Sequence, residues 1–193
     1  MKYKSIIAVF TLVAATTVLS CFNQGGQMTA NAASPADPSA TPARQTKAAV
    51  ETGPELTDGE WDGKEIVKTD AEWKKELPAA AFNVLREEGT ERAYSGPLNS
   101  NHKHGTYYCA ACGLAIFSSE AKFESGTGWP SFFQPLFKKN VVEKTDTSLG
   151  EERTEVECAR CHSHLGHVFD DGPQPTGLRY CMNSVALKFK ETK

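Results

Sequence analysis

The sequence predicts a mainly β domain of antiparallel strands, preceded by short helices and stapled by two cysteine pairs. From about residue 105 onward, short runs rich in β-branched and aromatic residues alternate with clusters of Gly, Pro, Asp and Asn, a pattern typical of antiparallel β-proteins. Upstream, apolar residues recur at helical spacing. The candidate strands are 106–108, 115–117, 140–142, 154–156, 165–169 and 184–189.

Two short helices are predicted just before the first strand. Thr69 and Glu72 have the S/T-x-x-E spacing of a capping box, in which each side chain accepts a hydrogen bond from the other residue's backbone. Pro78 ends this helix or opens the next. Gly89 stands where a left-handed C-cap is expected after the second helix. Both helices are expected to pack on the sheet, and neither is assigned any chemistry.

The first 60 residues are predicted to lie outside the domain, which we place at residues 61–193. Residues 1–20 start with two lysines and continue with an uncharged apolar run of signal-peptide length, too short to span a bilayer. Ser20 directly before Cys21 resembles the lipobox of bacterial lipoproteins, in which the cysteine receives a lipid. The alternative is an ordinary cleaved signal peptide. Residues 21–60, rich in Ala, Ser, Pro and Thr, are typical of a flexible tether.

These features predict an extracytoplasmic lipoprotein of the cell envelope or periplasm, anchored to a membrane through Cys21.

The formal net charge is −3 at pH 7. Such a balance gives no reason to expect nucleic acid or an anionic lipid surface as a partner. We expect no nucleic-acid partner and a monomer.

Four of the six cysteines form two C-x-x-C pairs, Cys109 with Cys112 and Cys158 with Cys161. Four thiolates close a tetrahedron around Zn²⁺, and such a site is structural because no position remains for water. An iron–sulfur cluster takes the same ligands, and two disulfides are the alternative in an oxidising compartment. With Cys21 lipidated, an odd number of cysteines remains, and this count favours structural zinc.

The remaining thiol is Cys181, which follows Arg179 closely in the sequence. A nearby cation can convert a thiol largely to thiolate at neutral pH. His164 and His167 lie upstream, and Gly166 between them would permit a bulge that brings both rings to one side. The alternatives are a cysteine that serves as a small buried hydrophobe and histidines that bind a second metal.

Taken in order, these motifs resemble the type B methionine sulfoxide reductases, enzymes that act on the R epimer of the sulfoxide. The resemblance covers about residues 66–189 and implies two antiparallel β-sheets, small N-terminal helices and a four-cysteine zinc site. It also implies reduction of methionine sulfoxide in oxidised peptides and proteins, a repair of oxidative damage. The matching stretches are 67–70, 89–92, 105–112, 123–132, 164–171 and 179–184.

The resemblance implies that Cys181 is the catalytic nucleophile. Its thiolate attacks the sulfoxide sulfur, and the products are methionine and a sulfenic acid. His164 and His167 are the expected acids, because imidazole titrates near neutrality. Asp171 is expected to orient a histidine ring.

Three further residues are expected around the nucleophile. Arg179 and Asn183 would position and polarise groups beside the thiolate. Trp129 would supply the apolar wall that receives the substrate methyl group, and its alternative is a plain core tryptophan.

Two positions depart from the family pattern. His162-Ser163 stands where members commonly have Gly-Ala, and we expect a surface role for His162. Thr127 stands where many members carry a cysteine that resolves the sulfenic acid as a disulfide. An external thiol reductant, such as a thioredoxin-like protein, is therefore expected to regenerate the enzyme.

The competing function is a zinc-ribbon binding module, in which the same cysteine pairs only display a peptide-binding surface. Such a scaffold has no need for a free thiol beside Arg179 and His167. The free thiol therefore favours the enzyme.

Overall fold

Two short helices open the part of the chain that the computed structural model describes, residues 53–192. The first, α1 (Asp70–Glu76), begins at the predicted capping box, with Thr69 and Glu72 bonded reciprocally. The second, α2 (Ala79–Glu87), ends one residue earlier than predicted, because Glu88 takes the left-handed conformation with φ 55°. Gly89 follows it, and its N–H closes the helix on the Asn83 carbonyl.

Two antiparallel sheets follow, as the sequence predicted. The three-stranded sheet has the order β2-β1-β9 and the six-stranded sheet the order β3-β4-β8-β7-β6-β5. The strands are β1 (Gly105–Cys109), β2 (Ala115–Ser118), β3 (Lys122–Phe123), β4 (Ser131–Phe132), β5 (Val141–Asp146), β6 (Arg153–Cys158), β7 (His164–Phe169), β8 (Arg179–Met182) and β9 (Leu187–Glu191).

The strand predicted over residues 184–189 is wrong in its first half. Ser184–Ala186 form a 3₁₀ turn, and β9 begins only at Leu187. The carboxylate of Glu91 accepts hydrogen bonds from the Ser184 and Val185 N–H groups at 2.7 and 3.1 Å. Those donors are therefore unavailable to a sheet.

Aromatic rings join the two sheets. Phe117 on β2 stacks on Phe132 of β4 with ring centroids 4.3 Å apart, and Tyr107 on β1 meets the same ring edge-on at 4.9 Å. All three side chains are fully buried. Helix α1 contributes Trp73 to this core and α2 contributes Leu85, so both helices pack as predicted.

The chain already contacts the β domain before residue 61. Thr57 forms a β-bridge with Leu114, and Asn140 donates to the Gly59 carbonyl at 2.9 Å. The predicted boundary at residue 60 therefore falls inside a stretch that touches the domain. The predicted signal peptide, Cys21 and most of the predicted tether lie outside the described residues. Within residues 53–192, no helix has the length and apolar character needed to cross a membrane.

Candidate active site and metal centre

The four cysteines of the two C-x-x-C motifs come together between the two sheets. Their sulfurs all lie within 4.8 Å of one another and are buried. The Cys109–Cys161 distance is 3.7 Å and the Cys112–Cys158 distance 3.5 Å. Zn–S bonds of about 2.3 Å in a tetrahedron place sulfurs about 3.8 Å apart, so these residues fit such an ion. All four are free thiols, and an ion held here would join one sheet to the other.

Both cysteine turns close in the same way. The Gly113 N–H donates to the Cys109 carbonyl at 2.8 Å, and the His162 N–H donates to the Cys158 carbonyl at 2.9 Å. The two donor residues have positive φ, 74° for Gly113 and 53° for His162. His162 therefore occupies a backbone position that favours glycine. Its side chain is exposed and lies outside the cysteine cluster, in accord with the expected surface role.

Cys181 sits in the middle of the six-stranded sheet. It is directly opposite His167 of β7 on one side and Ser131 of β4 on the other. Residues that face each other across antiparallel strands project to the same face of the sheet. The nucleophile candidate and one candidate acid are therefore neighbours because of strand register, and Cys181 is a partly exposed free thiol.

A bulge in β7 brings the two histidines together, as the sequence predicted. Val156 faces Gly166 and Glu157 faces His164, so the residue between them has no partner on β6. The His164 and His167 rings are consequently 5.3 Å apart. A side chain at Gly166 would overlap the Cys181 carbonyl oxygen, which explains why a glycine occupies this position.

Each histidine has its own carboxylate partner. His164 Nδ1 lies 2.6 Å from Glu155 Oε1, and His167 Nε2 lies 2.8 Å from Asp146 Oδ2. The other ring nitrogen of His164 is buried and has no hydrogen-bond partner within the described residues. Burial lowers the pKa of His167, although Asp146 opposes this shift. The His167 ring is therefore neutral at pH 7 in the free protein.

The role expected for Asp171 is wrong. Its carboxylate receives two hydrogen bonds from Arg179, at 2.7 and 2.8 Å, and the histidines are bonded elsewhere. Asp171 thus orients the guanidinium of Arg179, which also lies over the Phe169 ring at 4.4 Å. The hydrogen bond from Arg179 lowers the pKa of Asp171, so the pair stays charged.

The exposed part of Cys181 opens into a pocket of about 140 Å³. One wall is Trp129, whose indole N–H donates to the Glu91 carbonyl at 3.0 Å. Trp129 is only partly buried, so it is not a plain core residue. The lining residues are Thr90, Trp129, Arg153, Gly166, His167, Phe169, Cys181, Met182 and Asn183.

Asn183 lines this pocket, but its amide is already bonded. Its Oδ1 accepts from the Glu91 N–H at 3.0 Å, and its Nδ2 donates to the Leu165 carbonyl at 3.2 Å. These bonds tie the end of β8 to the bulged strand and to the loop that carries Glu91. Asn183 therefore positions the backbone on either side of the pocket.

The free protein holds Cys181 mainly as the thiol. Burial raises the pKa of Cys181, and hydrogen bonding from Thr127, the charge of Arg179 and contact with Ser131 oppose this only in part. The sequence had suggested that a neighbouring cation would favour the thiolate. Burial, which no local motif encodes, outweighs that effect.

Sequence reasoning missed the residues that hold the site in place. Glu155, Asp146 and Glu91 were not singled out for any role, although Glu91 lies within one of the matching stretches. Asp146 lies 21 residues from its histidine. Only the strand register could have revealed such partners. Glu155 is only 9% exposed, and a glutamate so buried on a strand indicates that its carboxylate has a hydrogen-bond partner.

The fold and pocket define a two-sheet β protein that presents a free cysteine, rather than a metal, to its ligand. Residues 77–191 match the SelR domain, and the chain belongs to this family, the type B methionine sulfoxide reductases.

Three relatives are similar to the chain over nearly their whole length. The peptide methionine sulfoxide reductase MsrB of Leptospira interrogans is 57% identical over 128 residues, which are 66% of this chain and 97% of the relative. The MsrB of Thiobacillus denitrificans is 59% identical, over 63% of this chain and 92% of its own. That of Methanosarcina barkeri is 57% identical, over 66% and 89%.

Proposed function

We propose that the protein reduces the R epimer of methionine sulfoxide in oxidised peptides and proteins, with Cys181 as the nucleophile. The observation that carries the proposal is the position of Cys181. Among the described residues it is the one cysteine outside the metal cluster, and it opens into the pocket beside Trp129. The names of the relatives supply the sulfoxide, and this thiol supplies a group that can take its oxygen.

The proposed step moves one oxygen atom and two electrons. The Cys181 sulfur attacks the sulfoxide sulfur, the S–O bond of the substrate breaks, and the oxygen ends on Cys181 as a sulfenic acid. The sulfoxide is reduced to a thioether while the cysteine is oxidised. The proton that Cys181 loses on attack is proposed to be passed to the departing oxygen through His167 or His164, with Asp146 and Glu155 holding their rings.

The pocket wall is proposed to bind the substrate methyl group. The Trp129 ring is fixed by its bond to the Glu91 carbonyl, and Phe169 and Met182 complete the apolar lining. The R epimer is proposed to place its methyl group on this wall with its oxygen towards the histidines.

The test is turnover of each sulfoxide epimer by the purified full chain. We expect consumption of the R epimer alone and loss of activity in Cys181→Ser, with the zinc content of the variant unchanged. Ser119→Ala, a hydroxyl removed away from the pocket, serves as the control. Equal turnover of both epimers, or an active Cys181→Ser, would contradict the proposal.

The metal is proposed to be one structural Zn²⁺ per chain. Cys109, Cys112, Cys158 and Cys161 would hold it, and because four sulfurs fill its shell it takes no part in the reaction. Apparent binding free energies of zinc in small domains are about 10–16 kcal/mol, so a chelator should unfold the domain. Metal analysis without zinc, together with two disulfides by mass spectrometry, would refute this assignment.

Regeneration is proposed to use an external dithiol protein of the thioredoxin type. If zinc holds Cys109, Cys112, Cys158 and Cys161, the described residues offer no other cysteine to resolve the sulfenic acid, since position 127 is a threonine. A dithiol reduces the sulfenic acid to the thiol, becomes a disulfide and releases water. A single turnover without reductant should leave one added oxygen on Cys181, trappable by dimedone. A Cys181 disulfide in its place would show that a zinc ligand resolves it.

We also propose that Cys21 is lipidated and anchors the protein outside the cytoplasm. The support is the sequence of residues 1–21 alone. Cys21→Ala should release the protein from the membrane fraction or block its processing. Unchanged membrane association of this variant would refute the anchor.

A further inference from the structure

Three hydroxyl groups form a continuous chain that ends on the Cys181 sulfur. Ser131 Oγ lies 2.7 Å from Ser125 Oγ, which lies 2.8 Å from Thr127 Oγ1. Thr127 Oγ1 is 3.9 Å from Cys181 Sγ, within hydrogen-bond range for sulfur. At the other end, the Ser131 hydroxyl donates to the Trp129 carbonyl at 3.1 Å. The chain therefore runs from the nucleophile to the backbone of the pocket wall.

The hydrogen bonds of this hydroxyl chain can run in either of two directions, because each hydroxyl has one proton to donate. With Cys181 as the thiol, its S–H is given to Thr127, and each hydroxyl donates to the next towards Ser131 and the Trp129 carbonyl. With Cys181 as the thiolate, every donor reverses. Ser131 then donates to Ser125, Ser125 to Thr127, and Thr127 to the sulfur.

We propose that Thr127 is a catalytic hydrogen-bond donor to the Cys181 thiolate, and that Ser125 and Ser131 are positioning residues that turn its proton towards the sulfur. The inference rests on the proposed role of Cys181 as nucleophile and deepens it. Only hydroxyl protons move between the two orientations, so the heavy atoms stay in place. The same donor remains available to the sulfenate oxygen.

Burial of the network supports this assignment. Ser131 is fully buried, so water cannot readily replace it as a partner. The Thr127 side chain is stiff at χ1 because it is β-branched, which keeps its oxygen aimed. Hydrogen bonding from Thr127 is the largest single effect that counteracts burial and lowers the pKa of Cys181, and the charge and hydrogen bond of Arg179 and the contact with Ser131 act in the same direction. Thr127 thus favours the thiolate of the reduced cysteine.

The experiment measures the rate of Cys181 alkylation by iodoacetamide against pH, on the full chain loaded with zinc, with the site located by mass spectrometry. Thr127→Val keeps the shape and removes the donor. We expect it to raise the alkylation midpoint by about one pH unit, a tenfold loss of thiolate at neutral pH. Thr127→Ser should restore the wild-type midpoint, and Ser125→Ala, which removes the link between Ser131 and Thr127, should give a smaller rise.

Thr145→Val, the same change at an exposed position of β5, is the matched control and should leave the midpoint unchanged. Thr127→Ala replaces Thr127→Val should the latter not fold. An unchanged midpoint in Thr127→Val overturns the proposal. A shift that Ser125→Ala does not share overturns the part assigned to the hydroxyl chain. Alkylation needs no sulfoxide, so failure of R-epimer turnover with these shifts intact would refute the proposed function alone.

Discussion

Glu155 accepts a hydrogen bond from His164 at 2.6 Å, and both side chains are buried, with 9% and 3% of their surface exposed. A carboxylate can only accept, so the proton is assigned to Nδ1 of the ring. The second nitrogen, Nε2, is left without a partner in the described part of the chain. One strong bond thus sets the tautomer and leaves the other nitrogen for chemistry.

Glu155→Gln should lower kcat/KM for the R-sulfoxide. An amide both donates and accepts, so it no longer selects one tautomer of His164. We expect a loss on the order of tenfold, smaller than the roughly 10²–10⁴-fold that a general acid itself contributes. The pH profile of kcat/KM is the readout that a merely structural role would not move. Glu152→Gln, exposed on the β5–β6 turn, is the control, and an unaltered pH profile in Glu155→Gln would contradict the assignment.

Glu91→Gln should weaken substrate binding. The carboxylate anchors the Ser184 and Val185 N–H groups, while the Glu91 backbone holds Trp129 and Asn183. Loss of a charged acceptor from such donors costs about 1.5–3 kcal/mol. We expect lower stability in urea together with a larger effect on KM than on kcat.

The control for Glu91→Gln is Glu87→Gln, an equally conservative change at an exposed position of α2. Intrinsic tryptophan fluorescence reports whether the Trp129 environment has changed. If KM and fluorescence both match the wild type in Glu91→Gln, this residue does not position the pocket.

Thr127→Cys should convert the sulfenic acid into an internal disulfide. The Thr127 oxygen is already 3.9 Å from Cys181 Sγ, so a sulfur at this position needs only a small movement. The introduced thiol attacks the sulfenic sulfur and water leaves. Mass spectrometry after one turnover should show loss of two hydrogens in place of one added oxygen. Ser125→Cys, one step further along the hydroxyl chain, should retain the added oxygen. An added oxygen retained in Thr127→Cys as well would exclude the close approach.

His162→Gly should stabilise the zinc-loaded protein. A left-handed conformation costs a non-glycine residue about 1–2 kcal/mol, which exceeds the loss of about 0.4–1 kcal/mol from the freer unfolded chain. The side chain contributes little in return, since its contacts with Glu65 and Glu157 are long, at 3.4 and 3.7 Å. A higher urea midpoint is expected. Gly113→Ala should do the opposite, because a Cβ there would overlap the Glu55 carbonyl.

Much of this architecture could be predicted because its determinants are local in sequence. The Thr69–Glu72 box spans one helical turn, and each cysteine turn spans four residues, so short motifs were sufficient. The partners of His164 and His167 could not be predicted, because they depend on which residues the β5–β6–β7 register places side by side. The turn at Ser184 depends in the same way on Glu91, 93 residues away.

The direction of the Cys181 pKa shift could not be predicted from the sequence either. Arg179 is close in the chain and suggested a thiolate, yet the shift is dominated by how much of the sulfur the sheet covers. Coverage is a property of the assembled fold. Thr127, recognised only for the cysteine that it replaces, lies in the loop before β4, and its hydroxyl comes to 3.9 Å from Cys181 because β4 pairs with β8.

The placement of the metal ligands has a consequence for the order of folding. Each half of the site is a tight hairpin turn, Cys109–Cys112 between β1 and β2 and Cys158–Cys161 between β6 and β7, which local chain can close quickly. Joining the halves closes a loop of 46 residues between Cys112 and Cys158, an entropic loss of about 3 kcal/mol. An ion bound by one hairpin turn would also bind the cysteines of the other turn, and it would thereby fix the two sheets relative to each other. The denatured chain diluted without zinc should therefore stay unfolded, and its folding should begin when zinc is added.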